Sequence, residues 1–168
     1  MNENIILIGM PGAGKSTVSV VLAKKLGKNF LDSDIVIQER TGKLLHEIIS
    51  ESGIDEFNRI EDSVNASLCV TNTIIATGGS VIYGKNAMEH LKSIGKIFYL
   101  KLSYEEIEER LGDLRKRGVV LKEGQNLKAL YEERTPLYEK YADFTIECDG
   151  KMLREVVEEI ASVYNHTL

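Results

Sequence analysis

Residues 9–16 read GMPGAGKS, a G-x-x-x-x-G-K-[ST] pattern placed directly after the apolar run Ile5–Ile8 and directly before a helical pattern over 15–26. That order confines this part of the chain to a strand, a tight glycine turn and a helix. Gly9, Gly12 and Gly14 allow the backbone to curl so that successive N–H groups face inward. The helix opening at Lys15 adds unpaired amides and the positive end of its dipole. Such a cradle suits the phosphates of a nucleotide, with Lys15 reaching the outer phosphates and the Ser16 hydroxyl placed to ligate Mg²⁺. The competing reading is a glycine-rich turn without a ligand, which leaves the match at every fixed position and on both flanks to chance. No Asn-Lys-x-Asp segment for reading guanine and no Asp-x-x-Gly switch at a strand end occurs, so a GTPase is disfavoured.

Short apolar runs alternate with amphipathic segments along all 168 residues. Strands are expected at Ile5–Ile8, Asn29–Leu31, Thr73–Ala76, Lys96–Leu102 and Phe144–Glu147. Helices are expected over 15–26, a pair at 34–50 and 54–70, then 85–94, 104–111, 125–141 and 151–164. Alternation of this kind predicts one α/β domain over 1–168, a three-layer α/β/α arrangement with a five-stranded parallel sheet. The stretch GDLRKRGVVLKEG, residues 112–124, is long for a connection in a compact domain and reads as a lid, with Arg117 suited to swing over phosphates.

Charge and composition narrow the class. A formal net charge of −5 argues against broad binding to nucleic acid or membranes. No run approaches the ~18 apolar residues that span a bilayer, and the N-terminal stretch does not resemble a signal peptide. Cys69 and Cys148 are expected as buried thiols in a reducing cytoplasm, and His46, His90 and His166 lack the spacing of a zinc site.

Asp32 and Asp34 stand at the end of the second strand, the end of an α/β sheet at which ligands gather. One carboxylate there can hold the water shell of Mg²⁺ and the other can accept a hydrogen bond from an attacking hydroxyl. Alternatively, Asp34 caps a helix starting at Ile35, assisted by Ser33. The segment ATGGSV, 76–81, brings backbone close to a ligand or another segment through Gly78 and Gly79. Arg59 reads as an exposed ion-pair partner of Glu61 or Asp62. Arg134, near a helix segment interrupted by Pro136, reads either as a ligand-binding cation or as a surface partner of Glu133.

Taken together, GMPGAGKST, the D-x-D at 32–34, E-F-x-R-I-E at 56–61, TGG at 77–79, Arg117 and ER-x-PLY-x-x-x-AD at 133–143 resemble the shikimate kinases, a P-loop family with the nucleoside-monophosphate-kinase-like fold. The resemblance implies sheet order 2-3-1-4-5, ATP and Mg²⁺, and phosphorylation of the ring hydroxyl of shikimate in aromatic amino-acid biosynthesis. It implies ATP on Gly12, Ala13, Gly14, Lys15, Ser16 and Thr17, with Arg110 near adenine and Mg²⁺ at Ser16 and Asp32. Lys15, Asp34 and Arg117 would carry the transfer. The acceptor would lie on Asp34, Asn58, Gly78, Gly79 and Arg134, between helices at about 34–62 and the lid at about 112–124. A cytoplasmic monomer with a small hydroxylated substrate and no nucleic-acid or membrane partner is expected. Three positions depart from the family's pattern. Asn58 stands where an arginine usually grips the shikimate carboxylate, Ser80 where a third glycine is usual, and Gly118 where proline follows the lid arginine. These departures leave open a different small hydroxy acid or polyol, or a nucleotide-binding regulator without transfer activity.

Overall fold

The computed structural model describes residues 3–112 and 124–168. Its centre is strand β1 (Asn4–Ile8), whose side chains are all buried. An unbroken apolar run without alternation is what a strand covered on both faces requires. β1 pairs in parallel with β3 (Thr73–Ala76) on one side and β4 (Gly95–Lys101) on the other. β2 (Asn29–Asp32) and β5 (Phe144–Glu147) complete the sheet in the order β2-β3-β1-β4-β5. Three-layer α/β/α architecture and strand order both agree with the expectation from sequence.

Asn4 ties the base of the sheet. Its Nδ2 donates to the carbonyls of Val70 and Ile94, and its Oδ1 accepts from the Thr73 amide. One buried amide thus occupies backbone groups from the segments that enter β3 and β4.

Helices α1 (Lys15–Leu26), α4 (Lys85–Ile94) and α5 (Tyr104–Leu111) fall where the sequence places them. α6 (Leu127–Tyr141) starts two residues later than expected because the Asn126 side chain caps it, accepting from the Ala129 amide. α7 (Leu153–His166) closes the chain. The helix pair after β2 is divided differently from the expectation. α2 (Ser33–Thr41) stops at Gly42, whose φ of 67° is the left-handed C-terminal turn that glycine adopts freely. α3 (Leu45–Ala66) then runs through the expected break, which survives as a kink at Gly53. Ile37 of α2 packs with Ile48, Phe57 and Val64 of α3 in a cluster separate from the main core. That cluster fixes the helical wall facing the carboxyl ends of β1 and β3.

Two smaller expectations are corrected. Cys69 is exposed, because it follows the last turn of α3 on the way to β3; only Cys148 is buried. Pro136 does not interrupt α6. No helix among the described residues is long and apolar enough to cross a membrane. Arg117, Gly118 and the proposed lid lie outside the described residues, apart from the lid's end glycines 112 and 124.

Candidate active site

The loop after β1 enters α1 through Gly14, which takes the N-cap position at φ 90° with no side chain to satisfy the helix amides. Those amides remain directed into the loop, as an anion site requires. Lys15 is buried, and its Nζ donates to the carbonyl oxygens of Gly9 (2.6 Å) and Met10 (2.8 Å). Burial pulls its ammonium down to about 8, partly opposed by the Asp34 carboxylate.

The two aspartates divide their tasks along the chain. Asp32, still extended at φ −104° and ψ 116°, accepts the Asp34 amide on Oδ1 at 2.9 Å and so caps α2. This corrects the alternative that Asp34 is the cap. The helix begins at Ser33, one residue before the expected start of the 34–50 segment, so Asp34 falls in its first turn and borders the cavity. The other oxygen of Asp32, Oδ2, accepts the Ser16 hydroxyl at 2.9 Å. A pair of hard oxygen donors therefore sits at the mouth of the phosphate loop. Asp34 Oδ1 is buried without a hydrogen-bond partner. Burial raises the Asp34 carboxyl to about 6, the Asp32 charge adding to the effect and Lys15 opposing it.

A cavity of about 340 Å³ joins these groups to the loop after β3. Lys15, Ser16, Thr17, Asp34, Gly78, Gly79 and Arg134 all border it, with Leu45, Ile49 and Phe57 forming an apolar side. Gly78 has no room for a side chain. A Cβ there would lie 2.6 Å from Glu61 Oε2 and 2.8 Å from Asp34 Oδ1. At Gly79 a Cβ would meet Pro11 at 2.8 Å and Arg134 Nη1 at 3.0 Å, and the Gly79 carbonyl accepts the Tyr138 hydroxyl at 2.6 Å.

Arg134 is 2% exposed, which rules out the surface-salt-bridge reading. Its guanidinium carbon lies 5.4 Å from the centre of the Tyr83 ring, and its Nε donates to the Tyr83 hydroxyl at 3.4 Å. Asn58 does not border the main cavity. It lines an adjoining chamber of about 160 Å³ that shares Arg134, and its Oδ1 is buried without a hydrogen-bond partner. Arg59 points outward, 74% exposed, and pairs with Glu56 at 2.8 Å rather than with Glu61 or Asp62.

Sequence reasoning passed over Glu61 as a surface ion-pair partner. It is 2% exposed and borders the main cavity. Its four-residue spacing from buried Phe57 was the available signal, since such residues share a helix face. Burial raises its carboxyl to about 7, a Ser80 hydrogen bond working against that rise. A third cavity, about 240 Å³, lies behind the phosphate loop beside Thr17 and Arg110 and is closed by Cys148, Lys151 and Leu153. Arg110 Nη1 reaches the Gly12 carbonyl at 3.4 Å. Cys148 is a wall rather than a nucleophile, burial pushing its thiol up to about 11.

The family model for shikimate kinase matches residues 11–165. The shikimate kinase of Thermodesulfovibrio yellowstonii is 40% identical over 165 residues, covering 96% of this chain and 95% of that protein. That of Clostridium botulinum (strain Eklund 17B) is 36% identical, covering 97% and 98%. Among solved structures, the shikimate kinase from Acinetobacter baumannii in complex with shikimate superposes with a TM-score of 0.88 at 33% identity, covering 98% of this chain and 94% of that one. With the order of its sheet, its phosphate loop and these matches in agreement, the chain belongs to the shikimate kinase family.

Proposed function

We propose that this protein transfers the γ-phosphoryl group of ATP to a ring hydroxyl of shikimate, giving shikimate 3-phosphate and ADP on the route to aromatic amino acids. One observation carries the reading: Lys15 at the phosphate loop, the unpartnered Asp34 carboxylate and the buried Arg134 cation border a single cavity. A small hydroxylated carboxylate placed there has its acid on Arg134 and a hydroxyl on Asp34.

The triphosphate lies on the amides of Gly12, Ala13 and Gly14 and at the head of α1 by Ser16 and Thr17, with Lys15 on its outer oxygens. Adenosine extends towards the cavity beside Arg110. Ser16 and Asp32 fit Mg²⁺, an ion usually held through one or two protein oxygens together with waters and phosphates. When bound, the ion neutralises charge on the phosphates. The Asp34 carboxylate accepts the hydroxyl proton as the alcohol oxygen bonds to the γ-phosphorus and the bond to the bridging oxygen of ADP breaks. Arg117 is assigned to the charge on the transferring group by resemblance alone.

Titration of shikimate against the wild-type protein, with ATP, Mg²⁺ and ADP release as readout, tests the reading. Saturable, shikimate-dependent ADP release is expected. ADP release that is unchanged by shikimate but stimulated by another hydroxy acid or polyol would overturn the choice of acceptor. Tight ATP binding without transfer to any alcohol would favour a regulatory protein.

A further inference from the structure

Glu61 is a buried acid to which none of the steps above assigns work. Its two oxygens differ in what they meet. Oε1 accepts the Ser80 hydroxyl at 2.6 Å, within a pocket where Ser80 itself is 5% exposed. Oε2 has no hydrogen-bond partner and lies against Gly78, across from Asp34 Oδ1. A donor on one oxygen fixes the rotation of the carboxylate, and with it the position of the other oxygen beside Asp34. Position 80, one of those at which this chain departs from its family's pattern, thus supplies the donor to this carboxylate.

We propose that Ser80 is a positioning residue for the acceptor: through its hydrogen bond to Glu61 it sets the floor of the pocket next to Asp34. A buried carboxylate needs a donor or a cation to stay in place and ionised. The charged groups facing Glu61 are Asp34 from α2, which disfavours its ionisation, and Arg134 from α6 and Lys15 from α1, which favour it. Unlike these charges, Ser80 acts on Glu61 through a direct hydrogen bond. Removing it leaves a buried carboxylate with no fixed orientation under the acceptor, whereas the phosphate loop on the far side of the cavity keeps all its contacts.

This inference rests on the proposed function for its substrate, and its test separates the two. Ser80→Ala removes the hydroxyl and keeps the Cβ. The shikimate KM should rise about tenfold, the size expected for losing one hydrogen bond to a charged group. The ATP KM should stay within about twofold. In a Glu61→Gln background Ser80→Ala should add little to the loss, so that the two substitutions are not additive. In acceptor-free protein, the carbon-13 carboxyl resonance of Glu61 should titrate at higher pH in Ser80→Ala than in the wild type. An unchanged shikimate KM, equal losses for ATP and shikimate, or additive effects would each overturn the proposal. If the wild type transfers nothing to shikimate, the functional reading falls. The Glu61 resonance then decides alone, and one unmoved by Ser80→Ala ends the proposal.

Discussion

Gly78→Ala isolates the proposed acceptor pocket from the proposed nucleotide site. The backbone of Gly78 lies outside the left-handed region, so alanine can adopt its conformation and the perturbation is one of contacts alone. The new methyl would stand 2.6 Å from Glu61 Oε2 and 2.8 Å from Asp34 Oδ1, where carbon and oxygen ordinarily meet at roughly 3.5 Å. Both oxygens must therefore retreat by several tenths of an ångström. Glu61 is held at its other oxygen by Ser80, and Asp34 is anchored in the first turn of a capped helix, so neither moves freely. Overpacking of this kind costs about 1–3 kcal/mol. If the strain is relieved by displacing Asp34, the same energy appears as about a 5- to 150-fold loss in acceptor kcat/KM, at 1.4 kcal/mol per tenfold. Steady-state ADP release across shikimate and ATP concentrations reads the acceptor side, and equilibrium ATP binding reads the other. ATP affinity should change less than about twofold, since Gly78 contacts no residue of the phosphate loop at that distance. Acceptor kcat and KM both within about twofold of wild type would refute the reasoning, as would a loss shared equally by ATP binding.

Further outcomes follow from the same geometry. Asp34→Asn should lower kcat by about 10²–10⁴ with little change in ATP binding, the range typical of a lost general base. In the wild type, kcat/KM for the acceptor should fall as pH drops through about 6, where Asp34 takes up a proton; a flat profile between pH 5 and 7 would contradict its role. Lys15→Ala should abolish transfer to any alcohol. Because Lys15 is pulled down to about 8 in the free protein, ATP binding near that pH should take up protons, measurable as a dependence of binding heat on buffer ionisation enthalpy. The raised carboxyls of Asp34 and Glu61 mean that the folded state binds more protons than the unfolded chain between about pH 4 and 7. Stability should therefore fall as pH rises through that window, by on the order of a few kcal/mol from these groups. Urea midpoints of wild type and Glu61→Gln across pH should converge at low pH and separate above it, the variant losing less.

The amino-acid order alone determined the strand–loop–helix at 4–26, the five strands, the sheet order through the family resemblance, and the glycine loop proposed to hold phosphate. These features are local: glycine spacing, apolar runs and a helix start are written in consecutive positions. Tertiary structure decided what depends on which segments meet. Asp32 rather than Asp34 became the cap because β2 runs one residue further than its apolar pattern. Arg134 was ambiguous on its helix and became a buried cation only because Tyr83 and Gly79, some fifty residues away in sequence, pack against it. Cys69 left the core because the turn after α3 faces solvent. Glu61 looked like one more helix charge among Arg59 and Asp62. Its burial beneath Gly78 and its bond to Ser80 arise where α3 crosses the end of β3, and no pattern within either segment encodes that crossing. A carboxylate's protonation and role follow from its desolvation and its neighbours, and only the folded chain supplies both.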